Sequence, residues 1–239
     1  MNLPRAIALQ LAFWTWSALI NLAWLPSLLM SPLATVRGQT IWAKGVMLLL
    51  EMLVGIRYEI RGRDNIPTGP VLIAAKHQSA WDTMIFHIIA NDPAVVMKAE
   101  LLKIPVYGWY CRHSRMIPID RNTGSKAVRV MVDAAKTAAA EARPIVIFPQ
   151  GTRVAPGAEA PYLPGIAALY RQLSIPVVPV ALNSGVFWPR ESIRRKPGTI
   201  VLEYLPVIEP GLSRKDFMAR LETAIETAST RLAQTACEA

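Results

Sequence analysis

Two short segments combine residue types that could catalyse a reaction or bind a ligand. In the first, KHQSAWDT, His77 follows the apolar run VLIAA and Asp82 comes five positions later. A carboxylate that accepts from one imidazole nitrogen leaves the other free to act as a general base. In one helix this spacing would put the side chains about 140° apart, so we expect His77 in a turn and Asp82 in the first turn of the next helix. Alone, the pair is weak support for catalysis, because a turn histidine can also bond a capping aspartate.

The second segment is FPQGTR, Phe148–Arg153, which overlaps the apolar run IVIF. A strand that runs into Gly-Thr-Arg places backbone N–H groups and a guanidinium at the end of a sheet, where ligands commonly bind in α/β folds. Arginine suits bidentate phosphate binding, so Arg153 is a candidate anion-binding residue. The alternative is an ordinary turn with a solvated arginine.

Other residues give weaker or negative indications. His87 lies in the apolar segment MIFHIIA, which predicts a core or interface histidine. Cys111 and Cys237 are far apart and neither belongs to a CxxC motif, while no His, Asp, Glu or Cys cluster has a metal-binding spacing. We therefore predict neither a metal site nor a disulfide framework.

Alternating apolar runs and helix-forming segments must position these residues. Strands are predicted for Arg57–Gly62, Val71–Ala75, Ala94–Lys98, Met116–Asp120, Ile145–Phe148, Val177–Leu182 and Thr199–Leu205. Helices are predicted for Ala80–Ala90, Ser125–Ala142, Ile166–Leu173 and Ser213 to about Ala236, with a mixed helical segment over Leu101–His113 and a mobile loop over Val154–Gly165. A proline marks Met116–Asp120 as an edge strand or a bend. The order predicts an α/β fold with helices covering a mixed sheet.

The composition separates two regions and excludes several protein classes. The 239 residues are 52% apolar and only 18% charged, which excludes a disordered chain. The net charge of +9 favours anionic partners such as a phosphorylated substrate or anionic lipid. Nucleic acid is the poorest candidate, because the basic residues are scattered and form no recognition motif. Only four charged residues lie in residues 1–56, which we predict to be membrane-anchoring helices, and residues 57–239 are predicted to form the α/β domain.

The N-terminal region has the composition of a membrane element. Ala6–Met30 contains 25 residues without a formal charge, and about 20 apolar residues span a bilayer core. A cleavable signal peptide is the weaker alternative, because its apolar region is normally shorter and no A-x-A site follows. In the second apolar segment, from about Gly38 to Ile56, the seven-residue spacing of Arg37, Lys44 and Glu51 makes a narrow polar stripe. This is typical of a helix lying in the membrane surface, although an ordinary helix packed on the domain is the alternative, and we predict an anchor or helical hairpin.

Four segments of the sequence together resemble the glycerolipid acyltransferases related to 1-acyl-sn-glycerol-3-phosphate acyltransferase. KHQSAWDT resembles the family's N-H-x4-D block and FPQGTR its F-P-E-G-T-R block. Between them, KAELLKIPVYGWYCRHSRMIPIDR is similar to the family's K-x-E-L-x-x-x-P-x-x-G block and to the next block, which ends in an arginine, here Arg121. VVPVAL resembles its V-P-V block. The blocks occur in the family's order over about residues 57–205, so their combination is far more specific than any one of them.

The resemblance implies the glycerolipid acyltransferase fold and a membrane-bound O-acyltransferase with no metal or cofactor. His77 would be the general base, oriented by Asp82, and no covalent acyl-enzyme at Ser79 is needed. The acyl group would pass from acyl-CoA or acyl-carrier protein to the free sn-2 hydroxyl of lysophosphatidic acid, giving phosphatidic acid. The substrate-binding residues that the resemblance implies are Lys98, Arg121, Gln150, Gly151, Thr152 and Arg153.

Two departures from the family's blocks leave the acceptor open. Lys76 replaces the usual Asn before the histidine, and Gln150 replaces the usual Glu of F-P-E-G-T-R. The acceptor could therefore be another lysolipid, such as a lyso-ornithine lipid or a lysophospholipid. The basic run Arg190–Lys196 could contact anionic headgroups or coenzyme A phosphates, or it could be a solvated hairpin tip.

Two other function classes are weaker. A hydrolase lacks support because no G-x-S-x-G elbow is present. A non-enzymatic basic membrane-binding protein remains open and predicts that His77 and Asp82 are dispensable. For the enzyme, we expect the catalytic domain on the cytoplasmic face of a membrane, where acyl thioesters are available and where the basic domain agrees with the positive-inside tendency.

Overall fold

The structure is a computed structural model in which residues 3–190, 193 and 195–238 are described. The helices are α1 (Leu3–Ala23), α2 (Pro32–Val54), α3 (Trp81–Ile89), α4 (Tyr107–His113), α5 (Ser125–Ala140), α6 (Gly165–Leu173), α7 (Ser184–Phe187) and α8 (Arg214–Glu238). The strands are β1 (Ile56–Arg61), β2 (Leu72–Ala75), β3 (Ala94–Lys98), β4 (Ile117–Ile119), β5 (Ile145–Ile147), β6 (Val177–Leu182) and β7 (Gly198–Tyr204). The strands and helices predicted for the α/β region are confirmed to within a few residues, and the short α7 was missed.

The strands form one mixed sheet in the order β1-β7-β6-β2-β5-β3-β4. The five strands from β6 to β4 in this order run parallel, whereas β7 is antiparallel to β6 and pairs in parallel with β1. The predicted mixed α/β sheet is confirmed, and β4, which contains Pro118, lies at one edge as its proline predicted. Because the five parallel strands end on the same side, the residues that follow them can meet there.

Helices cover both faces of the sheet because successive strand residues point to opposite faces. In β2, Ile73 joins the core that α2 and α3 cover, whereas Leu72 joins the core that α5, α6 and α8 cover. Every residue of β2, β5 and β6 is buried. This double-sided burial explains why these strands read as continuous apolar runs in the sequence.

The helices α1 and α2 form an antiparallel hairpin that two tryptophans hold together. The indole N–H groups of Trp16 and Trp24 each donate to a backbone carbonyl of α2 at 2.9 Å. Their rings lie against Gly45 and Gly38, where an added Cβ would come within 2.2 Å of a ring atom. Both glycines are therefore needed for this close approach, and the hairpin that the sequence predicted is present.

The second helix, α2, begins at Pro32. The apolar segment that predicted it was placed from about Gly38, so the predicted start was six residues too late. The helix starts at Pro32 because a proline in the first helical turn lacks an N–H that would be unpaired anyway and has a suitable φ. It ends at Gly55, which has a φ of 81° and so reverses the chain into β1.

The polar stripe on α2 lies on its outer face. Arg37, Lys44 and Glu51 are all exposed, whereas Val46 and Leu50 on the inner face are buried. The inner face belongs to the same core as α3 and the sheet. The inner face of α2 therefore fits the alternative of an ordinary helix packed on the domain. The relation of the outer face to a membrane and the division of the chain into two domains remain predictions.

Within the described residues, the segment Leu3–Leu29 is long and apolar enough to cross a membrane, by length and composition alone. Its surface carries Leu11, Trp14 and Leu22, whose exposed fractions are 65%, 67% and 65%. Pro26 lies in a 3₁₀ turn just beyond the end of α1. This apolar outer surface favours membrane association.

The loop after β5 and the start of α8 also follow the prediction in part. Residues 154–164 contain no helix or strand, but Leu163 N–H donates to the Pro149 carbonyl at 2.8 Å. The predicted mobility of this loop stays a prediction. Ser213 Oγ accepts from Asp216 N–H at 3.1 Å, so Ser213 caps α8.

Candidate active site

The residues that the sequence singled out lie at the carboxyl ends of the parallel strands. His77 follows β2, Lys98 ends β3 and Arg121 follows β4. Phe148–Arg153, the FPQGTR turn, follows β5. The sequence placed each of these residues at the end of a predicted strand or soon after it. The strand order shows that these strands are neighbours in one sheet.

The Asp82 carboxylate fixes the orientation of His77. His77 lies in the turn before α3 and Asp82 in its first helical turn, as the spacing predicted. His77 Nδ1 and Asp82 Oδ2 are 2.9 Å apart, and the same oxygen accepts from the N–H groups of Gln78 at 2.6 Å and Ser79 at 2.8 Å. Because an ionised carboxylate can only accept, Nδ1 carries the proton. The unprotonated Nε2 is then available as a base.

The short helix α7, which follows β6, supports this pair. Ser184 Oγ donates to Asp82 Oδ1 at 2.5 Å, and Gly185 N–H donates to Gln78 Oε1 at 3.0 Å. Asp82 is completely buried, and its two oxygens accept from four protein groups. A buried carboxylate needs such donors to offset its loss of water, so the orienting group is held rigidly.

His77 lies in the wall of a cavity of about 850 Å³ that extends from the sheet edge to the α1–α2 hairpin. The basic side chains in its wall are Lys98, Arg121, Arg153 and Arg190. The wall toward the hairpin is largely apolar and aromatic, with side chains such as Phe13, Trp42, Met84 and Tyr110. A cavity with these two parts suits a ligand that has an anionic group and a long apolar group.

The FPQGTR turn contacts both His77 and Arg121. The Phe148 ring centroid lies 4.4 Å from that of His77 with the planes tilted by 30°, and Val154 N–H donates to the His77 carbonyl at 2.8 Å. Gly151 has a φ of 67°, and a Cβ there would lie 2.6 Å from a guanidinium nitrogen of Arg121. Glycine therefore permits this backbone conformation and leaves room for the arginine.

Backbone N–H groups of the same turn are candidate donors to a developing oxyanion. The Gly151 N–H already donates to the Phe148 carbonyl at 2.9 Å, so it is not free for this role. For the N–H groups of Thr152 and Arg153, no acceptor is found in the described part of the chain. These two groups are the better candidates.

The two departures from the family's blocks meet at Glu226, on α8. Lys76 Nζ lies 2.7 and 2.6 Å from the two Glu226 carboxylate oxygens, and Gln150 Nε2 donates to Glu226 Oε1 at 3.3 Å. Tyr162 donates its hydroxyl to the same oxygen at 2.8 Å. Burial, with the nearby Glu226 charge, raises the pKa of Tyr162, which therefore stays protonated. Gln150 is not among the cavity-lining residues that the structure describes, and its contact with substrate stays a prediction.

The other two histidines have different surroundings. His87 faces the same cavity, but its buried Nδ1 has no hydrogen-bond partner among the described residues, and burial lowers its pKa to about 4. His113 Nδ1 lies 2.8 Å from Thr35 Oγ1 and so links α4 to the hairpin. Within the described residues, His77 is the histidine that contacts a carboxylate. No group of three or more His, Cys, Asp or Glu side chains that could hold a metal ion is found in that part of the chain.

Sequence reasoning missed several residues of the site. Ser184 and Gly185 follow the buried run VVPVAL, so the same end-of-strand rule could have found them. Glu226 had no such signal, because it is one of several acidic residues on a terminal helix. Arg190 belongs to the predicted basic run, in which Arg195 lies 4.4 Å over the Trp188 ring. The prediction for the rest of this run is not tested, because residues 191, 192 and 194 lie outside the described residues.

A protein-family model described as "Acyltransferase" matches residues 57–183, which is more than half of the chain and includes both motif turns. The chain belongs to the acyltransferase family. The resemblance that the sequence blocks indicated is thereby confirmed.

Two curated relatives of this acyltransferase have similar descriptions. The "1-acyl-sn-glycerol-3-phosphate acyltransferase" of Pseudomonas aeruginosa is 35% identical over 66% of this chain and 62% of that protein. The "1-acyl-sn-glycerol-3-phosphate acyltransferase alpha" of Mus musculus is 30% identical over 81% of this chain and 71% of its own length. The chain thus spans about three fifths of the length of the bacterial relative.

A solved structure shares the fold. The crystal structure of the 1-acyl-sn-glycerophosphate (LPA) acyltransferase PlsC from Thermotoga maritima matches with a TM-score of 0.78 over 97% of this chain and 98% of that chain, at 20% sequence identity. The match includes the region of the N-terminal hairpin, so the predicted fold class is confirmed for the acyltransferase as a whole.

Proposed function

We propose that this acyltransferase transfers a fatty acyl group from a thioester, acyl-CoA or acyl-carrier protein, to the free hydroxyl of 1-acyl-glycerol 3-phosphate. The product would be phosphatidic acid. The observation that carries the proposal is the position of the His77–Asp82 pair in a cavity wall that is basic in one part and apolar in the other. The shared description of the curated relatives supports the choice of acceptor.

His77 and Asp82 would carry the proton through the reaction. Nε2 of His77 removes the proton from the acceptor hydroxyl as its oxygen attacks the thioester carbonyl. The tetrahedral intermediate then expels the thiolate, which takes the proton from His77. Asp82 stays ionised throughout and stabilises the imidazolium. General-base assistance of this kind contributes a factor of about 10²–10⁴ in rate.

The reaction needs no nucleophilic side chain. Ser79 lies between the two catalytic residues, but it is completely buried and its Oγ accepts from Trp81 N–H at 3.0 Å, at the start of α3. Direct attack by the acceptor hydroxyl therefore fits the site better than a seryl intermediate.

The basic part of the cavity would hold the acceptor phosphate. Lys98, Arg121 and Arg153 line the cavity together with Gly151 and Thr152 of the FPQGTR turn, and the positive φ of Gly151 lets that turn adopt its shape. Arginine can bind a phosphate through two parallel hydrogen bonds. The apolar part, toward the hairpin, would receive the acyl chain, so the thioester and the hydroxyl meet near His77.

We further propose that residues 1–56 form a membrane-anchoring unit and residues 57–239 the catalytic domain, on the cytoplasmic face. The exposed leucines and tryptophan of α1 support contact with lipid. A membrane position also gives the apolar substrates a short path to the cavity.

The proposal is tested with detergent-purified protein, palmitoyl-CoA or oleoyl-CoA, and lysophosphatidic acid, glycerol 3-phosphate or other lysolipids offered separately. Thiol release gives the rate and mass spectrometry identifies the lipid product. We expect phosphatidic acid, its loss in His77→Ala, and near wild-type turnover in His113→Gln, which changes a histidine outside the cavity wall.

Other outcomes would change the assignment. Turnover with a different lysolipid alone would keep the mechanism and replace the acceptor, a result to which the Gln150 substitution in the motif points. Free fatty acid as the sole product would indicate a hydrolase. No turnover with either CoA or carrier-protein thioesters would refute the proposal and favour a membrane-binding protein.

A further inference from the structure

Glu226 joins three segments that the catalytic mechanism uses or neighbours. Its carboxylate accepts from Lys76, directly before His77, and from Gln150, directly before Gly151. It also accepts from Tyr162, in the loop that follows the FPQGTR turn. One side chain of the terminal helix thus bonds to both motif turns.

The Lys76–Glu226 pair is constrained by burial. The Lys76 side chain is 2% exposed, whereas that of Glu226 is 35% exposed. The Lys76 backbone is fixed as well, because its N–H donates to the Val180 carbonyl at 2.9 Å. A buried ammonium needs a carboxylate close by, and loss of one partner leaves an uncompensated charge. Loss of the Glu226 carboxylate would therefore leave the Lys76 side chain buried without this hydrogen-bond partner.

The two motif turns depend on each other's position. Val154 N–H donates to the His77 carbonyl, and the Phe148 ring lies against the imidazole. A shift of Lys76 would move His77 by way of the backbone, and a shift of Gln150 would move the turn that carries Arg153. Either change would alter the distance between the base and the bound acceptor.

We propose that Glu226 is a positioning residue that sets the relative placement of the two motif turns. It supplies from α8 the carboxylate that this chain lacks at Gln150, and Lys76 is its buried counter-charge. The proposal rests on the acyl transfer proposed above. It also explains why the two departures from the motif occur together: both side chains bond to the same carboxylate.

Three variants and a control separate positioning from stability. Glu226→Gln leaves Lys76 unpaired. Lys76→Met with Glu226→Gln removes both charges, a change that buried ion pairs often tolerate. Gln150→Glu with Glu226→Gln moves the carboxylate to the motif turn. Glu222→Gln, an exposed residue on the same helix, is the matched control.

We expect the Lys76→Met/Glu226→Gln variant to fold but to lower kcat by about tenfold or more, with a smaller change in acceptor KM, because small misplacements of reacting groups are costly. The Gln150→Glu/Glu226→Gln variant should recover most of the lost kcat, and Glu222→Gln should match the wild type. A folded Lys76→Met/Glu226→Gln variant with wild-type kcat would overturn the proposal. A kcat that falls equally in Glu222→Gln would also overturn it.

Hydrogen exchange gives a readout that does not need turnover. The amides of Ser79, in the first motif turn, and of Val154, directly after the second, should exchange faster in Lys76→Met/Glu226→Gln than in Glu222→Gln. Faster exchange confined to α8 would mean that Glu226 merely docks the helix, and would overturn the proposal. An inactive wild type with the expected exchange pattern would refute the acyl-transfer proposal and leave the positioning role standing.

Discussion

His77 and His87 face the same cavity but lie in two different regions of its wall. His77 sits at the sheet edge, where Asp82, Ser184 and two backbone N–H groups form a network of hydrogen bonds. His87 sits in an apolar part of the wall, where its Nδ1 finds no partner in the part of the chain that the structure describes and burial lowers its pKa to about 4. The Asp82 carboxylate orients the ring of His77, whereas the apolar surroundings of His87 oppose the charge that a base must take up.

Removing the carboxylate should make the two regions more alike. We expect Asp82→Asn to lower kcat by about 10²-fold, because the imidazole loses both its orientation and the charge that stabilises its protonated form. Thiol release with lysophosphatidic acid measures the change. Asp133→Asn, an exposed aspartate of α5, is the control. Wild-type kcat in Asp82→Asn would mean that His77 needs no orienting group.

The basic part of the cavity should matter for binding more than for chemistry. We expect Arg153→Met to raise the KM for lysophosphatidic acid by about tenfold, because a charge-assisted phosphate contact is lost, with a smaller effect on kcat. The control is Arg129→Met, an exposed arginine on α5. An unchanged KM would place the phosphate elsewhere.

The short helix α7 should have a smaller effect, since it acts through Asp82. We expect Ser184→Ala to lower kcat by about three- to tenfold, because one of the donors to the carboxylate is lost while three remain. Ser184→Thr should recover part of the rate by keeping the hydroxyl. Equal kcat in the wild type, Ser184→Ala and Ser184→Thr would show that the network is stronger than the reaction requires.

The weakest effect on activity is expected at His87. Its folded-state pKa of about 4 lies below the ordinary value of 6.5. The unfolded chain therefore takes up the proton first as pH falls. The contribution of the neutral, buried His87 to stability is complete above pH 6.5 and is lost as the pH falls toward 4. We expect His87→Leu to remove about 1–2 kcal/mol of the stability difference between pH 7.5 and pH 5, with kcat within about twofold of the wild type. Denaturant unfolding at both pH values measures it, and an unchanged pH dependence would contradict the burial argument.

The two regions also differ in how far the sequence predicted them. Spacing placed His77 in a turn and Asp82 at a helix start, because both positions follow from local rules on strands, turns and helices. The contact between His77 and Phe148 depends on β2 and β5 being neighbours, which local pattern does not specify. The same holds for Ser184, which reaches Asp82 across 102 positions of the chain.

Charge and hydropathy predicted the hairpin but not its register. The apolar composition of residues 1–56 indicated helices that avoid water, and the structure contains them. Their register depends on Trp16 and Trp24 meeting Gly45 and Gly38, pairs that no local periodicity reveals. Glu226 is the furthest from prediction, because a carboxylate on a terminal helix resembles any solvated acidic residue until α8 is placed beside the sheet.

The most direct test of the account compares the two histidines in one assay. Phosphatidic acid formation from oleoyl-CoA and lysophosphatidic acid is measured for the wild type, His77→Ala and His87→Ala in the same detergent, with folding checked by circular dichroism. The account predicts product from the wild type, a loss of about 10²–10⁴-fold in His77→Ala, and a loss of at most about threefold in His87→Ala. A His77→Ala protein that is folded and retains wild-type turnover would contradict it.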